Sequence, residues 1–144
     1  MSIEEVTTVT EEVVEAFVRL IPHLTETVSP PDRNALERIV ASETTTLFVA
    51  RVDGRVDGAL ALAIYRIPTG VRAWIEDVVV APDARGRGIG QALVEQALQR
   101  AAEAGATTVD LTSRPSREAA NRLYQRIGFE QRATNVYRYT LSVE

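Results

Sequence analysis

The sequence predicts a mixed α/β domain built on one central sheet. Three observations predict it: apolar stripes at helical spacing, β-branched runs broken by Asp-Gly pairs and prolines, and the order in which these alternate. That order is strand, two helices, three strands, helix, strand, helix, two strands. The 144 residues suffice for one domain with a hydrophobic core. No repeat, low-complexity tract or linker divides them, so residues 1–144 are read as one domain.

The elements follow in order. Ile3 to Val9 is β-rich and leads to Thr10, a candidate helix N-cap. Val13, Val14, Phe17, Leu20 and Ile21 recur at helical spacing, and Pro22 closes that helix. Ser29 with Pro30 and Pro31 opens a second helix, with Leu36, Ile39 and Val40 as its inner stripe. Thr45 to Val52 reads as a strand ending in the hairpin pair Asp53-Gly54. A second pair, Asp57-Gly58, leads into Ala59 to Ile67, whose near-continuous apolar residues suit a strand covered on both faces. Val71 to Val80 is another strand, ended by Pro82. A long amphipathic helix spans about Gly88 to Ala104, with Gly105 as its C-terminal cap. Thr107 to Thr112 reads as a strand, and Ser116 to Ile127 as a helix that buries Ala120, Leu123, Tyr124 and Ile127 and stops at Gly128. Phe129 to Gln131 and Asn135 to Leu141 read as closing strands.

Composition removes several chemistries. The chain has no cysteine and one histidine, His23, so disulfide frameworks, thiolate metal sites and imidazole clusters are excluded; no metal is expected. Catalysis must rest on carboxylates, hydroxyls, tyrosine, backbone dipoles or a borrowed cofactor. A net charge of −4 argues against a nucleic-acid partner. No apolar run approaches the roughly 18 residues that span a bilayer, so no membrane partner is expected. Met1 to Thr10 lacks the basic cluster of a signal peptide, and the cytoplasm is the expected location.

The most informative stretch runs from Val78 through Pro82 to Gly90. A strand enters a turn with three alternating glycines, Gly86, Gly88 and Gly90, and the turn opens the long helix. The first amides of a helix lack internal partners, and the helix dipole adds partial positive charge there. Glycines allow close backbone approach to a phosphate, and Arg85 and Arg87 add charge and forked donors. A tight loop alone would also use glycines. Gly90, however, falls in the first helical turn, where glycine costs about 1 kcal/mol relative to alanine. The stretch therefore reads as a diphosphate cradle. A dinucleotide fold is the obvious rival, with Asp110 at the next strand, but its third glycine is missing: Gln91 and Leu93 stand where it would fall. A P-loop fails too, for want of Gly-Lys-Ser/Thr.

The segment from Ile75 to Gly90 resembles the acetyl-coenzyme A signature of the GNAT superfamily of N-acetyltransferases, Arg/Gln-x-x-Gly-x-Gly/Ala, through Arg85, Gly88 and Gly90. The stretch Ala120 to Phe129 resembles the same family's second signature, a helix carrying Leu-Tyr followed by Gly-Phe. Before Val71 the likeness is one of pattern only. The resemblance implies a mixed, mostly antiparallel sheet with splayed middle strands and about four flanking helices. It implies acetyl-CoA as co-substrate, held by Arg85, Gly86, Arg87, Gly88, Ile89, Gly90 and Gln91 at the diphosphate. Val78, Val79 and Val80 would pair with pantetheine through their backbone, the amide of Val78 or a neighbour holding the thioester oxygen.

Without a cysteine nucleophile, direct attack by a neutral amine is the simpler scheme, and Glu76 or Asp77 is the candidate base or relay. Strand alternation would point these two to opposite faces. The resemblance makes Tyr124 the general acid for the departing thiolate. Where many relatives carry a pantetheine-contacting Asn, seven residues before the tyrosine, this chain has Arg117; Asn121, one turn further on, is the substitute, or else caps a loop. Arg117 and Arg122 read as surface arginines or 3′-phosphate ligands. Trp74 and Tyr65 read as core more readily than as acceptor pocket, and His23 as a surface residue near where acceptors enter in this family. Arg132 and Arg138 suit an acidic acceptor or plain solvation. The acceptor is expected to be a small-molecule or peptide amine. The resemblance permits a homodimer, on which the residues are silent. A non-catalytic acyl-CoA sensor is the alternative function.

Overall fold

A computed structural model describes residues 1–142 of the chain. They divide into two compact units, Met1–Thr112 and the stretch from Ser113 onward. The first unit holds β1 (Ser2–Glu5), α1 (Glu11–Leu20), α2 (Arg33–Ala41), β2 (Thr45–Val52), β3 (Arg55–Ile67), β4 (Gly70–Val80), α3 (Ile89–Glu103) and β5 (Thr108–Asp110). The second holds α4 (Glu118–Ile127). The five strands form one sheet in the order β1-β2-β3-β4-β5, antiparallel except for the parallel β4–β5 pair. This is the mixed, mostly antiparallel sheet with about four helices that the resemblance implies.

Local chemistry explains most boundaries. Thr10 caps α1, its Oγ1 accepting from the Val13 amide at 3.3 Å. Pro22 does not follow α1 directly; it sits in a 3₁₀ turn, Ile21–His23, that continues from it. The second helix is capped by Asp32, whose Oδ1 accepts from the Ala35 amide at 2.8 Å, rather than opened at Ser29. A carboxylate that takes an orphan amide defines the start more firmly than a proline that merely permits it. Asp53 and Gly54, with φ of 51° and 81°, form the two-residue turn that closes β2 on β3. At the far end of α3, the amides of Gly105 and Ala106 donate to the carbonyls of Ala102 and Ala101, both at 3.0 Å. With Gly105 at φ 86°, this satisfies two orphan carbonyls in a Schellman motif.

The core sits between sheet and helices. Leu20 of α1, Leu36 of α2, Leu60 and Leu62 of β3, and Ile89, Leu93 and Val94 of α3 are all at most 2% exposed. The run Val56–Leu60 is buried without a break, as expected for a strand covered on both faces. Asp57-Gly58 is not a second turn. Both residues lie inside β3, where the pairing with β2 slips by one residue and makes Asp57 a bulge.

The two closing strands are absent among the described residues. From Glu130 onward the described side chains are exposed, with Val136, Tyr137, Tyr139 and Leu141 between 73% and 88% exposed. Phe129 instead belongs to the cap of α4. β-propensity reports fit to a half-buried pleated surface, and here no neighbouring strand takes up the main-chain groups. Among the described residues no helix is long and apolar enough to cross a membrane.

Candidate active site

The predicted cradle is open. The chain leaves β4 through a 3₁₀ turn, Pro82–Ala84, and enters α3 through Gly86 (φ 80°) and the N-cap Gly88 (φ 78°, ψ 14°). Left-handed backbone at both positions is glycine's province. Space beside them is free, for a Cβ built on Gly86 or Gly88 meets nothing within 4 Å. Among the described residues, the amides of Gly86, Arg87, Gly88, Ile89, Gly90 and Gln91 donate to no protein acceptor; the first amide of the helix that does is Ala92, to the Gly88 carbonyl at 3.0 Å. Orphan amides at the positive end of a fifteen-residue helix suit an anion.

Side chains sort differently from the sequence expectation. Ile89 is 2% exposed, so only its main chain faces the cradle while its side chain anchors α3 in the core. Arg87 turns to the β2–β3 hairpin and pairs with Asp53 at 3.2 Å. Arg85 is exposed and makes no ion pair among the described residues. The Gln91 Nε2 donates to Glu95 Oε1 at 2.9 Å.

Upstream, β4 separates from β5. Their ladder covers Arg72–Trp74 only, and β4 runs on to Val80 without it. Among the described residues no strand lies beside that edge of Ile75–Val80, which is the splayed gap the resemblance implies. Within it the alternation breaks. Ala59 and Ala61 of β3 pair with Val79 and Glu76, so three residues of β4 advance against two of β3. The bulge contains Asp77 at φ 52°, a left-handed conformation that Asp tolerates better than most side chains. Partners across an antiparallel ladder share a face, so Glu76 and Val79 lie on one face although three apart. The expected opposite pointing of Glu76 and Asp77 therefore does not hold as strict alternation: both are exposed. Val78 and Val80 are half-buried and Val79 is 5% exposed.

In the second unit, α4 ends in another Schellman motif. The amide of Gly128 (φ 125°) donates to Gln125 at 3.1 Å, and that of Phe129 to Tyr124 at 2.9 Å. The accompanying apolar contact is the edge-on packing of Tyr124 on Phe129, ring centroids 5.8 Å apart at 67°. This gives the Tyr…Gly-Phe spacing a physical reason: glycine reverses the chain so that the next aromatic ring steadies the tyrosine. Burial pushes the Tyr124 phenol above its ordinary 10.0, with Arg117 pulling the other way. The phenol is therefore protonated at neutral pH. Asn121 spends its Nδ2 on the Arg114 carbonyl at 2.9 Å, seven residues back, which is the loop-capping role.

Tyr65 is 38% exposed and Trp74 half-buried, so neither is core; His23 is exposed. Two cavities of about 280 and 170 Å³ beside β1 contain none of the predicted site residues. Among the described residues no His, Cys, Asp and Glu cluster is placed to hold a metal ion. Sequence reasoning missed three features: the bulge at Asp77, the Asp53 partner of Arg87, and Gly58 beneath α3. Only the last had a signal, a glycine inside an apolar strand.

Comparison with known proteins agrees with the geometry. An uncharacterised N-acetyltransferase of Methanocaldococcus jannaschii is 36% identical over 88 residues, 59% of this chain and 39% of that protein. An L-2,4-diaminobutyric acid acetyltransferase of Nocardia farcinica is 36% identical over 75 residues, 52% of this chain and 38% of that protein. The matched stretch thus spans about two fifths of these relatives. A solved acetyltransferase of Trypanosoma brucei superposes with a TM-score of 0.76 at 28% identity, covering 97% of this chain and all of that one. The model of the acetyltransferase (GNAT) family matches residues 9–129. With its open glycine cradle and its splayed, bulged strand β4, the chain belongs to the acetyltransferase (GNAT) family.

Proposed function

We propose that the chain transfers an acetyl group from acetyl-CoA directly to a primary amine, of a small molecule or a peptide, through a ternary complex. The observation that carries this reading is the run of six unengaged amides, Gly86 to Gln91, at the open N-terminus of α3 in a member of an acetyltransferase family. Their donors take the diphosphate, with Arg85 adding charge at the rim. Backbone groups of Val78, Val79 and Val80 on the edge of β4 away from β3 hold the pantetheine arm. An amide at the bulge polarises the thioester carbonyl.

Proton movement falls to two side chains. Glu76, directly or through water, takes the proton from the ammonium form of the acceptor. The freed amine attacks the thioester carbonyl and the C–N bond forms; the nitrogen, now cationic, gives its second proton to water as the tetrahedral intermediate collapses and the C–S bond breaks. Tyr124, held protonated by burial, gives its proton to the departing thiolate and regains one from solvent. A thiol near pKa 8.5 is a fair leaving group, so this help is modest.

The test is thiol release from acetyl-CoA with a panel of amines, beginning with short α,ω-diamino acids because of the named substrate of the Nocardia relative. Turnover with one acceptor class is expected. Thermal stabilisation by acetyl-CoA without turnover on any amine would favour a sensor instead. Stabilisation by NAD or ATP but not by acetyl-CoA would end the reading.

A further inference from the structure

Asp57 and Gly58 of β3 lie at neither end of the strand and take no part in the chemistry above, yet both ends of the cradle loop rest on them. The loop leaves the sheet at Ala81, whose amide donates to the Asp57 carbonyl at 2.8 Å, while Val80 pairs with Gly58. It re-enters regular structure at Ile89, the first residue of α3. A Cβ on Gly58 would lie 3.0 Å from Ile89 Cγ2, 3.2 Å from Leu93 Cδ1 and 3.4 Å from Ala50 Cβ. The Ile89 and Leu93 side chains at the start of α3 therefore pack on the bare backbone of Gly58, so closely that a Cβ there would require them to give by a few tenths of an ångström. Asp57, the bulged residue beside it, is 8% exposed; its carboxylate lies 2.9 Å from Arg55 Nε and 3.6 Å from Arg19 Nη1. Arg19 also donates to the Val56 carbonyl at 3.1 Å, which ties α1 to the same point of β3.

We infer that Asp57-Gly58 is the positioning element of the diphosphate cradle: one residue fixes where the loop leaves β4, and the absent side chain of the other sets the depth at which α3 begins. The inference rests on the acetyl-CoA reading, because it assigns the seat a purpose only if Gly86 to Gln91 hold a diphosphate. Of these, the amides of Ile89, Gly90 and Gln91 lie in the first turn of α3 and aim along its axis. Lifting the first turn off Gly58 by a few tenths of an ångström displaces these three together, away from the loop amides, because the other end of the loop stays bonded to Asp57. Gly58 touches no substrate, so its effect runs through binding of the CoA moiety and leaves proton transfer alone.

The experiment is Gly58→Ala, read by calorimetry with CoA and by steady-state kinetics. Loss of one hydrogen bond to a charged group costs about tenfold or more in affinity, so a shift that weakens the first-turn amides is expected to raise the CoA Kd and the acetyl-CoA KM about tenfold. The saturated kcat is expected to stay within about twofold, a split that general destabilisation does not produce. Ile89→Leu removes Cγ2 while conserving volume, so Gly58→Ala/Ile89→Leu is expected to recover most of the affinity. If Gly58→Ala does not fold, Leu93→Met, which takes Cδ1 out of the same contact, reads it from the other side: weakened CoA binding at unchanged kcat is expected, and wild-type affinity overturns the inference. Wild-type affinity in folded Gly58→Ala, or a double variant as weak as the single, overturns the inference while leaving acetyl-CoA binding intact. Failure of the wild-type chain to bind CoA would remove the functional reading itself, and this inference with it.

Discussion

Replacing Gly88 by alanine separates the two reasons for a glycine at the mouth of α3. Gly88 has φ 78°, and an added Cβ there meets nothing within 4 Å. Steric crowding in the free protein is thus absent, and only backbone strain remains. A left-handed conformation costs a non-glycine residue about 1–2 kcal/mol. Stiffening of the unfolded chain returns about 0.4–1 kcal/mol, leaving a net loss of about 1 kcal/mol. For a chain of this size that is a Tm drop of about 2–4 °C. Gly105, at φ 86° and equally open, sits at the other end of the same helix and is the matched control. Gly105→Ala is expected to lose a similar few degrees and bind CoA as the wild type does. Gly88→Ala additionally projects a methyl group into the space beside the free amides. Loss of one hydrogen bond to a charged group costs about 1.5–3 kcal/mol, so the CoA Kd is expected to rise between about tenfold and a hundredfold. Gly88→Glu, which adds a negative charge, is expected to abolish binding. Thermal melts with and without CoA measure both quantities, since ligand at 100 times its Kd stabilises by about 2.7 kcal/mol. Equal CoA affinity in Gly88→Ala and Gly105→Ala would refute the placement of the diphosphate at this corner.

Three further outcomes are expected. Tyr124→Phe keeps the ring packed on Phe129 and removes the hydroxyl, so kcat is expected to fall about tenfold with CoA binding unchanged; full activity would take the residue out of the mechanism. Asp53→Asn is tolerated at φ 51° and frees Arg87, so the CoA Kd at low salt is expected to fall by no more than about fivefold, the reach of an exposed ion pair; a weaker complex would show that Arg87 does not serve the ligand. Hydrogen bonds from Arg51 hold the carboxyls of Glu4 and Glu12 below their ordinary 4.5, so the stability they add is present above that pH and is lost as pH falls through the lower folded values. The Tm gap between wild type and Arg51→Met should therefore exist at neutral pH and close on acidification; a gap independent of pH would contradict the pairing.

What was legible in the residues follows how local the cause is. Thr10 as a cap, Asp53-Gly54 as a hairpin turn, Gly105 and Gly128 as helix stops, and Gly86 and Gly88 as a left-handed approach to α3 each depend on a residue's own backbone freedom or its reach to a neighbour a few positions away. The second signature was equally local, since Tyr124, Gly128 and Phe129 close one Schellman motif. Other features depend on elements far apart in sequence. The bulge at Asp77 exists because β4 must match β3, and the closing strands fail because a pleated sequence needs an adjacent ladder. The sequence by itself determined the sheet-and-helix class, the family signatures and the glycine corner, because backbone conformation at a few residues carries them. Only the tertiary structure decided that Arg87 turns to Asp53, that Ile89 faces inward, and that Gly58 lies beneath α3, because each follows from where another part of the chain comes to rest.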